Sequence, residues 1–123
     1  MLQKLGWAFG IVFIAIGVLA YVPGITTDGM LLGLFMVDGV HNIIHLLTGI
    51  VAIAVVWGGG QYLRLYFKVF GVVYGLVTVI GFIQGDTVLG IIMVNMADNL
   101  LHLVVAAAAL WAGFGMKEEG MAM

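Results

Sequence analysis

The chain contains no cysteine and no serine. The first absence excludes disulfides, thiolate metal sites and cysteine nucleophiles, and leaves the redox compartment unmarked. The second excludes a serine-based hydrolase. Proline occurs once, and charged side chains make up only 8% of the 123 residues, against ~25% in an average soluble domain. Four Lys/Arg against six Asp/Glu, for a net charge of −2, leave no basic patch to hold phosphates, so a nucleic-acid partner is excluded. What is abundant is hydrocarbon: 64% of the residues are hydrophobic and the mean hydropathy is +1.25. A chain this short forms one domain and cannot bury that much apolar surface within itself. It is therefore expected to be an integral membrane protein whose main partner is the lipid bilayer.

Four apolar stretches are legible: about Leu5 to Val22, Met30 to Trp57, Leu65 to Ile83, and Val88 to Phe114. The first and third have the ~20 residues that a spanning helix requires. The second and fourth are longer than a span needs. Lys4, Arg64, Lys68 and Lys117 all fall on one side of the alternating spans, whereas the opposite loops carry only Asp28 and Asp86. The positive-inside rule then places both termini in the cytoplasm. Trp7, Trp57 and Trp111 fall at the cytoplasmic ends of their spans, as an interfacial belt requires. The first apolar run is long for a signal peptide and lacks a small-x-small cleavage site, so it is expected to remain in the protein.

Residues 32–46 read LGLFMVDGVHNIIHL, and 57 positions later residues 89–103 read LGIIMVNMADNLLHL, with seven of fifteen positions identical. Gly6-x-x-x-Gly10 and Gly71-x-x-x-Gly75 open the first and third spans. These pairs, and the run Ala106 to Ala109, permit close helix contact. The chain thus reads as two tandem copies of a helical hairpin, about residues 1–60 and 61–123, within one transmembrane domain. Each copy holds an even number of spans, so the copies are parallel and related by an axis along the membrane normal.

The repeated segment carries a polar stripe. Asp38, His41, Asn42 and His45 stand at relative positions 0, +3, +4 and +7, and Asn95, Asp98, Asn99 and His102 repeat the spacing. Each set occupies one face of a helix. Ionisable residues in a span seldom face lipid, so both stripes are expected to meet in the bundle interior. Asp38 and Asn95 are good N-caps. Helices starting there run about nineteen residues to the cytoplasmic side, which suits a span. The preceding LLGLFMV and VLGIIMV then become short interfacial segments or an extra helical turn. In the alternative, each helix is continuous from Met30 or Val88.

The chain resembles the bacterial family catalogued as domain of unknown function 4383, small proteins with four predicted transmembrane helices. The resemblance lies in His41-Asn42-Ile43-Ile44-His45-Leu46-Leu47-Thr48-Gly49 of the first copy and Ala97-Asp98-Asn99-Leu100-Leu101-His102-Leu103 of the second. It extends over nearly the whole chain, including Gly71-Val72-Val73-Tyr74. The family often has Asn-Pro where this chain has Asp38-Gly39 and Asn95-Met96. The resemblance implies an all-α, four-helix bundle in the bacterial inner membrane and brings no assigned activity.

Three uses of the stripe are open, of which the first is the expected one and the second its main alternative. In the first, the paired Asn-x-x-His segments hydrogen-bond across the bundle and pin the second and fourth helices together, as in a small accessory or structural membrane protein. His41 and Asp98, at equivalent positions, could pair within it. In the second, His41 and His45, four apart on one helix, join Asp98 and His102 around a divalent metal such as zinc, with the asparagines accepting from ring N–H groups. A b-type haem between His45 and His102 is the variant of this reading, though a bundle of this size has little room for a porphyrin. In the third, the stripe is a path for protons, ions or a small solute, which four short parallel-repeat helices could enclose only as an oligomer. A homodimer or a larger membrane complex is compatible with each. No catalytic site is expected. Gly58-Gly59-Gly60 lacks the Lys-Ser/Thr of a phosphate loop, and the eight methionines are scattered as core filler.

Overall fold

The computed structural model describes residues 2–115. Lys117 and the rest of the tail, one of the four positive charges behind the orientation argument, lie outside the described residues. Four helices, α1 (Leu2–Leu19), α2 (Gly39–Trp57), α3 (Leu63–Gln84) and α4 (Met96–Leu110, continued by a π-helical turn over Trp111–Gly115), form the body of the protein. Each of the four helical segments is long and apolar enough to cross a membrane, with hydropathies of 1.4 to 1.9. Only 33 to 39% of each is buried inside the molecule, which leaves the remainder to face lipid. Helices are the natural outcome, because a bilayer offers no water to satisfy a free backbone group.

The two hairpins, α1 with α2 and α3 with α4, are each packed through small residues. A Cβ at Gly49 would lie 2.8 Å from both the Gly10 carbonyl oxygen and the Ile14 backbone nitrogen, so α1 and α2 touch backbone to backbone. A Cβ at Gly113 would lie 2.7 Å from the Lys68 backbone nitrogen. The second expected glycine pair is only half used: Gly71 packs on Leu110, whereas Gly75 faces open space. Of the alanine run, Ala106 and Ala109 are buried.

At the end carrying the α2–α3 turn, Trp7 lies 6.4 Å from Trp57 and Gln3 donates to the Gly59 carbonyl. Arg64 donates to the Gly113 carbonyl in the middle of the π-helical turn. Leu63 and Phe67 form the fully buried core at this end, together with Ala52 and Ala109.

The opposite end departs from a purely helical reading. The helix α1 ends at Leu19, short of the expected Val22, and Thr26 Oγ1 caps it by donating to the Leu19 carbonyl. The apolar segments ahead of α2 and α4 are neither helical turns nor unstructured. The first forms three short antiparallel strands, β1 (Thr26–Thr27), β2 (Met30–Leu31) and β3 (Phe35–Met36), paired in the order β1-β2-β3. The second forms a hairpin of β4 (Thr87–Val88) with β5 (Ile92–Met93). Leu32-Gly33 and Leu89-Gly90 turn the two chains with positive φ at both residues, 56° and 71° in the first and 55° and 69° in the second. This left-handed pair matches the twist of a tight hairpin. The glycines suit it; each leucine costs about 1–2 kcal/mol there.

The helices α2 and α4 start one or two residues after these strands, at Asp38 and Asn95 as expected of the capped alternative. The α2 helix is nineteen residues long.

Candidate metal centre

The site occupies the first turns of α2 and α4. Asp38 is extended, and its Oδ1 accepts from the His41 backbone N–H at 2.8 Å. Asn95 does the same for the Asp98 backbone N–H at 2.9 Å, and the Asp98 carboxylate returns the bond from the Asn95 N–H at 3.0 Å, a complete capping box. With both helix starts fixed, the polar stripes turn inward. His41, Asn42, His45, Asp98, Asn99 and His102 are each 4% exposed or less.

The outer part of the stripe ties the two hairpins together. Asp38 Oδ2 accepts from the Met93 N–H at 2.7 Å, across 55 residues of sequence. His41 Nδ1 lies 3.1 Å from the Met93 carbonyl oxygen, which can only accept, so Nδ1 carries the proton. In the other direction, Asn95 Nδ2 donates to the Leu34 carbonyl at 2.8 Å. In this outer part the cross-hairpin bonds thus come from the two cap residues and His41, each to backbone of the other hairpin.

The inner part is different. His41 Nε2, both ring nitrogens of His45 and both of His102 are buried and have no hydrogen-bond partner among the described residues. The Oδ1 atoms of Asn42 and Asn99 have none either, so they do not accept from ring N–H groups. The Asn99 oxygen is instead pressed against Gly81, where a Cβ would displace it. The three imidazoles converge, with ring centroids 4.5 Å apart for His41 and His45, 5.4 Å for His41 and His102, and 5.9 Å for His45 and His102. One nitrogen from each lies within 4.8 Å of the others. Asp98, placed with them by helical spacing, stands outside this group because its carboxylate turns back to the start of its own helix.

A cavity of about 100 Å³ is lined by the three histidines together with Ile44, Val73, Tyr74, Val77 and Ile92. Two aromatic neighbours were not read as part of the site from sequence. Phe13 of α1 lies 5.4 Å from the His45 ring, and Tyr74 of α3 lies 5.7 Å from the His102 ring. The Tyr74 hydroxyl is engaged with Thr48 Oγ1 at 2.9 Å. A hydroxyl-bearing ring in the middle of an otherwise apolar span was the available signal for Tyr74; Phe13 offered none.

Fold and site together define a four-helix membrane protein with a buried three-histidine cluster near one end. The chain belongs to the family described as domain of unknown function (DUF4383), which it matches over residues 3–115. No curated protein and no solved structure matches it.

Proposed function

We propose that the protein is a metal-binding membrane module in which His41, His45 and His102 hold a first-row transition metal that joins its two hairpins. One observation carries this reading: five buried imidazole nitrogens have no partner among the described residues, and one nitrogen from each of the three rings lies within 4.8 Å of the other two. Each unsatisfied buried polar group costs about 1–3 kcal/mol, and a metal ion satisfies three of them at once. The donors are neutral nitrogen, with no thiolate in the chain, which suits zinc, iron, copper or nickel. The bond from His41 Nδ1 to a backbone carbonyl fixes the tautomer and leaves Nε2 as the ligand atom, the usual arrangement behind a metal-bound imidazole. Asp38, at the start of the same helix, supplies negative charge beside a cation that the apolar interior would otherwise leave uncompensated.

This reading includes the accessory role. Two ligands lie on α2 and one on α4, so the ion pins the helices that the polar clamp was expected to pin. Haem is disfavoured by space, since ~300 Å³ is the lower end for pockets holding drug-sized ligands and the cavity here has about 100 Å³. Transport lacks a comparable supporting observation. The protein acts as a binding component and not as an enzyme.

Its setting is proposed to be the bacterial cytoplasmic membrane with both termini inside, because Arg64 and Lys68 open α3 beside the Trp7–Trp57 end of the bundle. The tandem-repeat origin is supported by positions 57 residues apart that share unusual conformations: Leu32 with Leu89 at positive φ, and Asp38 with Asn95 as N-caps.

The test is elemental analysis of untagged protein extracted in mild detergent without chelators. The expected result is one metal ion per chain, lost in both His45→Ala and His102→Ala. Absence of stoichiometric metal after zinc, iron, manganese, copper and nickel have each been offered would reject the proposal.

A further inference from the structure

Resting on the metal reading, we propose that the centre keeps one coordination position for a small neutral diatomic gas, which reaches it from the bilayer. All three histidines line the cavity, so an ion held by them borders open space, as in sites with three protein donors and an exchangeable fourth position. The rest of the lining is aliphatic apart from Tyr74: Ile44, Val73, Val77 and Ile92. The one hydroxyl among them, that of Tyr74, is already bonded to Thr48. Outside the histidines, the lining therefore offers a polar or charged guest no free hydrogen-bonding group. Size sets the second limit: about 100 Å³ corresponds to roughly three water molecules at ~30 Å³ each, which admits a diatomic molecule and excludes a sugar, nucleotide or amino acid.

The position of the mouth sets the third limit. Ile44 on α2 and Val73 on α3 line the cavity and are also 38% and 44% exposed, on the surface of spans that faces lipid. A guest entering between them arrives through hydrocarbon, where neutral gases dissolve and ions do not. Binding is a reversible coordination: the gas donates an electron pair to the metal, displaces whatever weak ligand is there, and no covalent bond breaks.

The experiment uses the full chain in detergent, loaded anaerobically with ferrous iron and titrated with nitric oxide. Metal content is measured in parallel, and the adduct is read by electron paramagnetic resonance. Val77→Phe fills the cavity without replacing a ligand, and Val77→Leu is its milder form should the larger side chain prevent folding. The expected result is a nitrosyl signal equivalent to the bound iron in the unaltered chain. With iron content unchanged, affinity falls at least tenfold in Val77→Phe and by a smaller factor in Val77→Leu. Bound iron without a nitrosyl signal overturns the gas site and leaves the metal centre standing. So does a nitrosyl of equal affinity in all three chains, because the cavity would then not be where the gas sits. Uptake of zinc but not iron overturns it too, since zinc has no redox-active d electrons to share with a diatomic gas. Uptake of no metal rejects the metal centre, and the gas site with it.

Discussion

Asp38 performs two tasks with two oxygens, and an Asp38→Asn exchange separates them. Oδ1 caps α2 through the His41 N–H, and Oδ2 holds the Met93 N–H of the other hairpin. Removal of an N-cap side chain costs about 1 kcal/mol. Loss of a bond from an N–H to a charged acceptor costs ~1.5–3 kcal/mol; the solvent-accessible position of the Met93 bond puts it at the low end. Asp38→Ala should therefore destabilise by about 2.5 kcal/mol in total. Asp38→Asn keeps a carbonyl oxygen for the His41 N–H but turns an NH₂ group toward the Met93 N–H, donor against donor, and should lose only the second part, about 1.5 kcal/mol.

The counterpart position shows the logic in reverse. Asn95 faces an acceptor, the Leu34 carbonyl, and its NH₂ donates to it. Asn95→Asp would set a carboxylate against that carbonyl oxygen while preserving the cap. It should cost about as much as Asp38→Asn, roughly 1–2 kcal/mol. Thermal unfolding in detergent, followed by helical circular dichroism, reads the series. Each kcal/mol moves the midpoint by ~2–8 °C in chains near this size. The expected order is the unaltered chain, then Asp38→Asn together with Asn95→Asp, then Asp38→Ala. An Asp38→Asn chain as stable as the original would refute the argument that an acceptor is needed at Oδ2. Equal losses in Asp38→Asn and Asp38→Ala would refute the separate value of the cap.

Two further outcomes are expected from packing and from linkage. Gly49→Val should destabilise by about 1–3 kcal/mol or prevent folding, because its Cβ meets backbone atoms of Gly10 and Ile14 that cannot rotate away. Gly75→Ala should be neutral or stabilising by up to ~1 kcal/mol, since nothing lies within 4 Å of the added carbon; the melting midpoints of the two variants decide the matter. Chelation should lower the melting midpoint of the metal-loaded protein by the equivalent of about 2.7 kcal/mol when the free metal had been held at a hundredfold its dissociation constant. It should leave His102→Ala unmoved, and an equal response in both would show that the stabilising ion sits elsewhere.

The spans, the starts of α2 and α4 and the inward face of the polar stripe were legible because each rests on a strong local rule. Hydropathy marks the spans, a capping side chain marks a start, and the 0, +3, +4, +7 spacing marks a face. The β-hairpins at Met30–Met36 and Thr87–Met93 were not legible. Their strands are two residues long, apolar on both sides, and turned by Leu-Gly where Asn-Gly or Asp-Gly would have given a signal. Spacing also placed Asp98 beside the histidines, and here the cap decides otherwise. A short carboxylate three residues into a helix that starts with Asn is drawn back to the free N–H of its own cap. Tyr74 came to the site from α3, an element whose register against α2 and α4 no local pattern encodes. Likewise Gly71 and Gly75 are indistinguishable as sequence, yet only one finds a neighbour.

The role of Asp98 also determines what kind of centre this chain can form. In the alignment of the two copies it stands where the first has His41. Two identical copies would present four imidazoles, and four protein donors make a closed tetrahedral site of the structural kind. One copy here contributes two histidines and the other contributes one, with the fourth residue committed to the capping box. The asymmetry leaves the proposed ion a position directed at the apolar cavity. Asp98→His should therefore act against the gas site while strengthening the metal site. The added imidazole raises the donor number from three to four, at the expense of about 1 kcal/mol of capping. Metal titration and nitric oxide binding, measured on the same preparation, distinguish the two effects. Tighter metal with a lost nitrosyl is the expected pair. An Asp98→His chain that binds metal and gas as the original does would show that position 98 lies too far from the ion to complete its coordination, and that the asymmetry between the copies has no bearing on the site.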